Sequence, residues 1–305
     1  MPVLRGSAGS RRAHLPARER VPTLNGTFAG VAEQDALARL VAGEIEVRGR
    51  LVDASNATLY AVVDGAEGEL ACVYKPVAGE RPLWDFPDET LARREVASYA
   101  VSAVTGWNVV PPTVFRDGPL GPGSVQLWLQ QDGAEPADPD EVVLPSAGAG
   151  LIDIVAPRRV ADGWHTVLQA EDGAGRPVAL VHADDLRLRH IAVLDVVLNN
   201  ADRKGGHVLP GWSGAVHGVD HGLTFHEEPK LRTVLWGFGG SHLLAEEREV
   251  LAGLLADLNG SLGALLGELL SVEEVVATLE RTEQLLQADR LPRARGHRTI
   301  PWPPF

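Results

Sequence analysis

Cysteine occurs once in these 305 residues, at Cys72, which excludes an internal disulfide and any metal centre built from several thiolates. Long apolar runs are missing too. None approaches the ~20 residues of a membrane-spanning helix. The arginines near the start precede no apolar core, so no secretory leader is expected and the reading is a cytoplasmic protein without a membrane span. Positive charge is short: 28 Lys and Arg against 41 Asp and Glu leave a net charge of −13. That balance argues against broad nucleic-acid binding and against adsorption to anionic lipid. Lysine is the scarcest of the charged residues, occurring only as Lys75, Lys204 and Lys230. Where arginine is this common, a retained lysine suggests a site that wants a compact ammonium.

What remains is ordinary for a globular protein. With 45% hydrophobic and 23% charged residues, 305 residues can bury the core of one large domain or two lobes. Residues 1–30 carry arginine among Gly, Ser, Ala and Pro without periodicity and read as a disordered tail. Glu33 to Val41 has the pattern of a short helix. From Gly43 onward the pattern is β: Ile45 and Val47 alternate with charge, followed by Leu51-Val52, Leu59 to Val63 and Leu70 to Tyr74. Asp64-Gly65 and Glu67-Gly68 mark a tight hairpin turn. The small polar stretch Asp53 to Thr58, with Ser55, Asn56 and Thr58, reads either as an ordinary turn or as a loop laying donors over phosphates.

Lys75 closes the third of these strands. It is suited to pair phosphates, or simply to snorkel to water. Asp88-Glu89-Thr90 offers capping chemistry for a helix over Leu91 to Val104, stopped at Thr105-Gly106. On that helix Leu91, Glu95 and Tyr99 recur every four residues, so Glu95 sits on an apolar stripe and needs a partner. Lys75 is one choice; Arg93 or Arg94 at the surface is the other. Val109 to Val114 reads as a strand broken by Pro111 and Pro112, and Gly121 to Leu129 as another. Asp132 to Gly150, rich in Asp, Pro, Ala and Gly, reads as a linker. His182 to Leu198 follows a helical period. Ala245–Leu258 and Val272–Leu286 read as amphipathic helices, and the end from Pro301 to Phe305 is expected to pack back on the body.

The centre of the chain is Leu194 to Leu209. There an apolar helix runs into Asn199-Asn200-Ala201-Asp202-Arg203-Lys204-Gly205-Gly206-His207, and Val219-Asp220-His221-Gly222 follows. Asp195 within the helix reads as capping or structural. Two aspartates so spaced suit phosphoryl transfer, one orienting a hydroxyl and the other holding a metal on nucleotide phosphates. Asn200-Ala201-Asp202-Arg203 and Val219 to Phe225 resemble the catalytic and metal loops of the phosphatidylinositol 3- and 4-kinase-like family. The type II phosphatidylinositol 4-kinases are closest, and within the superfamily the chain is similar to an actinobacterial phosphatidylinositol kinase-like group. The likeness runs from roughly Leu51 to Gly240.

The resemblance implies an α+β, two-lobed protein-kinase-like fold: a β-rich N-lobe over 31–132, a linker over 133–150, and a mainly helical C-lobe over 151–305. It implies an ATP-binding transferase (a kinase) that uses magnesium, with manganese as an alternative. In this picture Asp202 acts on the acceptor hydroxyl, Asp220 holds the metal, and Lys75 neutralises the α- and β-phosphates with Glu95 behind it. Ser55, Asn56 and Thr58 cover the phosphates, the backbone near Gln130 and Gln131 meets adenine, and Lys204 either touches the γ-phosphate or is a surface lysine. The chain departs from the family at His207, where a metal-binding asparagine is usual, so His207 joins Asp220 at the expected metal site. Imidazole suits softer ions than magnesium. A nucleotide-binding pseudokinase and a kinase-fold enzyme transferring AMP therefore stay open. A zinc site from His207, His217 and His221 has only loose spacing in its favour, with His217 reading more simply as a strand residue. The acceptor is expected to be a protein or small molecule, since the acidic balance disfavours a membrane lipid.

Overall fold

The computed structural model describes residues 27–28, 31–51, 56–65, 68–129, 147–211 and 214–305. Thr27–Phe28 (β1), inside the stretch expected to be a tail, pairs antiparallel with Val31–Ala32 (β2). The chain then enters helix α1, Glu33–Ala42, whose Ala36 and Leu40 are buried. Three strands follow, Glu44–Arg50 (β3), Leu59–Asp64 (β4) and Leu70–Pro76 (β5). Helix α2 covers Leu91–Thr105, and two more strands, Thr113–Gly118 (β6) and Gly121–Leu127 (β7), complete an antiparallel sheet of order β3-β4-β5-β7-β6.

The pleat decides what this sheet presents. Along β5, Leu70, Cys72 and Tyr74 are buried in a cluster with Ala36, Leu40, Val125 and Leu127. Val73 and Lys75, two residues apart, therefore share the opposite face. That face looks into a cleft.

Helix α2 is tied down from several directions. Its first amides, Leu91 N–H and Ala92 N–H, donate to the Glu80 carboxylate at 3.1 and 2.8 Å. The cap therefore comes from Glu80 and not from the side chains of Asp88-Glu89-Thr90, because a carboxylate folded back from Glu80 meets both the orphan amides and the helix dipole. Thr90 Oγ1 instead donates to Pro87 O and accepts from Arg94 Nε. Arg94 is fully buried, forming an ion pair with Glu274 and donating to Thr224 O. It is not the surface partner that Glu95 was offered.

The remainder is less purely helical than the sequence suggested. Ile152–Val155 (β8), Trp164–Glu171 (β9) and Pro177–Ala183 (β10) form an antiparallel sheet of order β8-β10-β9. His182, expected in a helix, lies on β10. Helix α3 begins only at Leu186 and runs to Leu198, with the Asp185 carboxylate accepting from Arg187 N–H. Most of α3 is buried, apolar residues together with Arg189 and Asp195, each of which is held in an ion pair. A two-stranded ribbon, Val208–Pro210 (β11) with Val216–Gly218 (β12), carries His217 as a strand residue. Helices α4 (Ala245–Leu258), α5 (Ser261–Leu269) and α6 (Val272–Ala288) close the second core around α3. Among the described residues no single helix is long and apolar enough to cross a membrane.

The buried histidines make stability depend on acid. His182 is wholly buried against Phe238; its Nε2 accepts from Gly237 N–H at 3.1 Å and its Nδ1 lies 2.9 Å from Ala183 O. Burial pulls its pKa down to about 4. Between roughly 6.5 and 4 the unfolded chain binds a proton that the folded chain refuses, so stability falls as pH drops through that window. Burial also lowers His190 and His217. Urea denaturation at pH 7 and pH 4 should show His182 alone contributing about 3 kcal/mol of loss. His182→Gln should flatten that slope by a comparable amount, and an unchanged slope would contradict the assignment.

Candidate functional site

The cleft opens between the β5 face and the loops that follow α3. A cavity of about 180 Å³ is lined by Leu51, Val73, Leu127 and Leu129 from the sheet side, with Thr58, Gln126 and Trp128. Gly206, His207, Leu209, Val219 and Asp220 line it from the other side, and Lys75 stands between. The walls are mainly aliphatic and the charged groups gather at one end, the usual division of labour in a small-molecule pocket.

Each loop is shaped by local chemistry. Asn199 ends α3 in the left-handed conformation at φ 53°, a place where asparagine is tolerated better than most residues. Asn200 then braces the turn: its Nδ2 donates to Asp195 Oδ1 and its Oδ1 accepts from Asp202 N–H, both at 2.9 Å. Arg203 N–H donates to Arg232 O, and Arg232 N–H donates to Asn200 O, which lays the 230–233 segment beside this loop. Asp220 also adopts a left-handed backbone, at φ 58°. Aspartate, like asparagine, tolerates that conformation better than most residues.

Arg203 binds these loops together. Its side chain is fully buried and its fork donates to Asp195 at 3.0 Å. It also donates to His221 Nε2 (2.6 Å), Val219 O (2.9 Å) and His207 O (3.2 Å). His221 is thereby fixed as a hydrogen-bond acceptor, and burial beside Arg203 keeps its imidazole neutral, with a pKa well below the usual range. The backbone N–H of His221 donates to Glu95 Oε2 at 3.0 Å.

Lys75 and Glu95 meet in an ion pair, with Glu95 only 2% exposed, and Lys75 Nζ also reaches Asp220 Oδ1 at 2.9 Å. Burial alone would lower the Lys75 ammonium, but the Asp220 and Glu95 carboxylates outweigh it and raise its pKa above the lysine norm. Lys75 in turn holds the Asp220 carboxyl far below the ordinary carboxylate range, although the side chain is 53% exposed and solvent screens it. His207 Nε2 lies 3.3 Å from Asp220 Oδ2, and burial takes the imidazole down to about 4. Its Nδ1 is buried without a hydrogen-bond partner among the described residues.

Asp202 stands off the cavity wall and is paired with Lys204 at 3.1 Å. Burial raises its carboxyl above the usual value against the pull of Lys204, and it lies close enough to Asp220 for the two carboxylates to repel. The third lysine is here too. Lys230 N–H donates to Asn199 Oδ1, while its ammonium pairs with Asp85 at 3.1 Å, below the exposed ring of Trp84. All three lysines of the chain therefore gather at this cleft or on the segment beside its loops, each against a carboxylate.

Of the residues expected at a nucleotide site, Thr58, Lys75, His207 and Asp220 share the cavity, with Glu95 behind Lys75. Asn56 and Thr58 line a smaller adjoining pocket with Lys75 and Glu95, but Asn56 Oδ1 is engaged by Arg81 N–H at 3.0 Å. Ser55 and Gln130, with the adjoining Gln131, lie outside the described residues. The looser zinc reading loses its ligands: His217 Nδ1 lies 2.8 Å from Asn108 O, and His221 is occupied by Arg203. No three His, Cys, Asp or Glu side chains among the described residues could hold a metal ion together. A resident metal thus finds no complete ligand set. The half-exposed Asp220 carboxylate beside His207 fits an ion that brings most of its oxygens with it.

Sequence reasoning gave Arg203 no role, while the structural reading of Asp195 fits its contacts with Asn200 and Arg203. Lysine scarcity pointed to Lys230; nothing in the pattern distinguished Arg203 from the other arginines.

No family model matches the chain. It is 49% identical over 278 residues to Protein Rv2133c of Mycobacterium tuberculosis, a match covering 91% of this chain and 98% of that protein. The chain belongs to the same family as Protein Rv2133c.

Removing one partner of a buried ion pair leaves an uncompensated charge, which costs about 3–5 kcal/mol. Asp195→Ala should therefore lower unfolding free energy by about that much in urea titrations. Asp220→Ala, on a half-exposed side chain, should cost under about 1 kcal/mol. Equal losses for the two would show that Arg203 does not depend on Asp195.

Proposed function

We propose that this protein is an ATP-dependent phosphotransferase with a two-lobed, kinase-like fold, acting on a hydroxyl of a protein or small molecule. The observation that carries the reading is the meeting of Lys75, Glu95 and Asp220 at one cleft, although Lys75 and Asp220 are 145 residues apart in sequence. A lysine seated by a helix carboxylate and facing a second, solvent-open carboxylate is the charge arrangement a nucleotide triphosphate with its metal requires. The aliphatic walls next to it suit a base, and the acidic balance of the chain favours a soluble acceptor over an anionic membrane.

In this reading Lys75 exchanges part of its contact with Asp220 for α- and β-phosphate oxygens, while Glu95 keeps it in place. Thr58 covers the phosphates from the sheet side. Asp220, with His207 beside it, would hold magnesium or manganese arriving with the nucleotide, and the ion would supply neutralisation of phosphate charge. Asp202, its basicity raised by burial, orients the acceptor hydroxyl and takes its proton as the acceptor oxygen bonds to the γ-phosphorus. The bond from that phosphorus to the β–γ bridging oxygen breaks, and ADP leaves. Lys204 offsets charge on the transferring group. A second reading, nucleotide binding without turnover, draws on His207: an imidazole against Asp220 occupies the place where a second oxygen ligand would serve the metal.

Incubation with ATP labelled at the γ- or the α-phosphate, across a broad acceptor screen, separates the possibilities. Phosphotransfer moves only the γ label, AMP transfer moves the α label, and a pseudokinase binds nucleotide and moves neither. Asp220→Ala should abolish metal-dependent nucleotide binding. Asp202→Ala should leave the dissociation constant within about threefold and remove transfer. If Asp220→Ala binds nucleotide as the parent does, the proposed metal role of Asp220 is wrong.

The nitrogen donor at 207 carries a second expectation. Manganese accepts imidazole more readily than magnesium does. Nucleotide binding or turnover should therefore be at least as good in manganese, and His207→Asn should shift the preference toward magnesium. A clear magnesium preference that His207→Asn leaves unmoved would exclude imidazole from the metal's surroundings.

A further inference from the structure

The turn between the two aspartates contains Gly205 and Gly206, which have no side chains to hold it. Something else does. Gly205 N–H donates to Pro304 O at 2.8 Å, so the segment near residue 305 meets the turn through the backbone. The Phe305 ring fills the space that a Gly205 side chain would take: a Cβ there would lie 2.4 Å from Phe305 Cε1 and 2.6 Å from Cζ. The same ring reaches Gly148, where a Cβ would stand 3.5 Å from Cε1. Phe305, 37% exposed, thus lies between the turn at Gly148 and the turn that carries Lys204 and His207, with one side of its ring covered by the two glycines.

The segment has its own anchors. Thr299 O accepts from Thr233 N–H at 3.1 Å and from Trp236 Nε1–H at 2.8 Å, and Pro301 is buried. These contacts hold the strap against the 233–236 segment, so the wedge is fixed from behind. Lys204 pairs with Asp202 and His207 faces Asp220, at opposite ends of the short turn. A shift of that turn by one side-chain width would disturb both contacts at once.

We propose that Phe305 is a positioning residue: its ring, packed into the vacancy at Gly205, sets the turn that aims Lys204 at Asp202 and His207 at Asp220. The functional side of this assignment rests on the phosphotransfer reading; the packing side does not. Glycine at 205 is then required by the ring and not by backbone conformation, since the residue has no positive φ. The corollary is a specific coupling. Gly205→Ala should be harmful while the ring is present and far less harmful once the ring is removed.

The experiment uses the full chain in four forms: parent, Phe305→Ala, Gly205→Ala, and both together, with Phe305→Leu as the conservative control. Amide hydrogen exchange at Gly205 and His207 reads the packing. Phe305→Ala should speed exchange at least tenfold at both amides, Phe305→Leu much less, and the double variant should resemble Phe305→Ala rather than add to it. Hydrolysis of magnesium-ATP or manganese-ATP, with water as acceptor, reads the aim. In Phe305→Ala, kcat per folded site should fall about tenfold with KM within threefold, the folded fraction being fixed by urea denaturation under the assay conditions so that loss of fold is not counted as loss of aim. The double variant should recover activity relative to Gly205→Ala. Exchange unaltered in Phe305→Ala, or effects of the two substitutions that simply add, would overturn the proposal. Loosened exchange with unchanged kcat would reduce Phe305 to a packing residue and overturn the positioning role. If the parent neither binds nor turns over nucleotide, the phosphotransfer reading and the aim built on it fall, while the exchange data still decide whether the ring sets the turn.

Discussion

A buried guanidinium holds this site in shape. Arg203 contacts a carboxylate on the central helix, two carbonyls and an imidazole, drawn from three separate stretches of chain. Arginine is suited to the place because its charge persists through burial and its planar fork satisfies several acceptors at fixed angles. A lysine could not span them. The cation repays its desolvation only because every direction is used. From Arg203 the contacts continue without a gap: His221 passes the geometry to Glu95 through its backbone N–H, and Glu95 holds Lys75, which meets Asp220. The charged end of the cleft is therefore one connected network rooted in α3.

The network is built of cations already matched to anions. Lys75, Lys204 and Lys230 each face a carboxylate, and the paired side chains are largely shielded from water except at Asp220. Asp220 is the exposed member, and that asymmetry matters. A group meant to stay put is buried with its partner, as Glu95 is. Asp220, open to solvent, is the member of the network that a dissolved ligand can reach. Pre-paired charges also lower the cost of holding like charges close together. Lys230 belongs to the same economy on the other side of the loop, tying Asp85 to the segment that runs beside Asn199 and Asn200.

How far the sequence revealed this depended on which residues were rare. Lysine stood out because arginine replaced it nearly everywhere, so Lys75 was conspicuous and a four-residue period brought Glu95 toward it. Arg203 was hidden by the same fact: one arginine among many, next to an aspartate with a more obvious role. The helix from Leu91 and its buried stripe were legible, whereas its cap was not, because Glu80 reaches Leu91 N–H from eleven residues upstream. The small sheet of β8, β9 and β10 escaped because β9 is mostly exposed and alternates poorly, set among Asp, Gly and Arg that read as loop. Helix α5 was not among the expected helices, and it carries two glycines, Gly263 and Gly267, which weaken a helical pattern. Gly263 is instead a packing residue: a Cβ there would lie 2.0 Å from Leu258 O, so only glycine allows the tight passage from α4 to α5.

The residue after Asp220 shows what a buried histidine does here that a hydrocarbon or a carboxylate could not. Arg203 has one remaining N–H pointing into a buried space, and a hydrocarbon there would leave it unsatisfied at a cost of about 1–3 kcal/mol. A second carboxylate would satisfy it but would add negative charge beside Glu95 and Asp220, weakening the hold of both on Lys75. A neutral imidazole accepts the hydrogen bond and adds no charge. It must then remain neutral, and the burial and adjacent guanidinium that keep it so are the surroundings that placed it there. The cost is one buried nitrogen, His221 Nδ1, with no partner among the described residues. Accepting that orphan lets the loop present the Asp220 carboxylate outward while the His221 backbone N–H fastens Glu95 behind it, so the position of the exposed carboxylate and the position of the lysine are set by a single side chain's choice of protonation state.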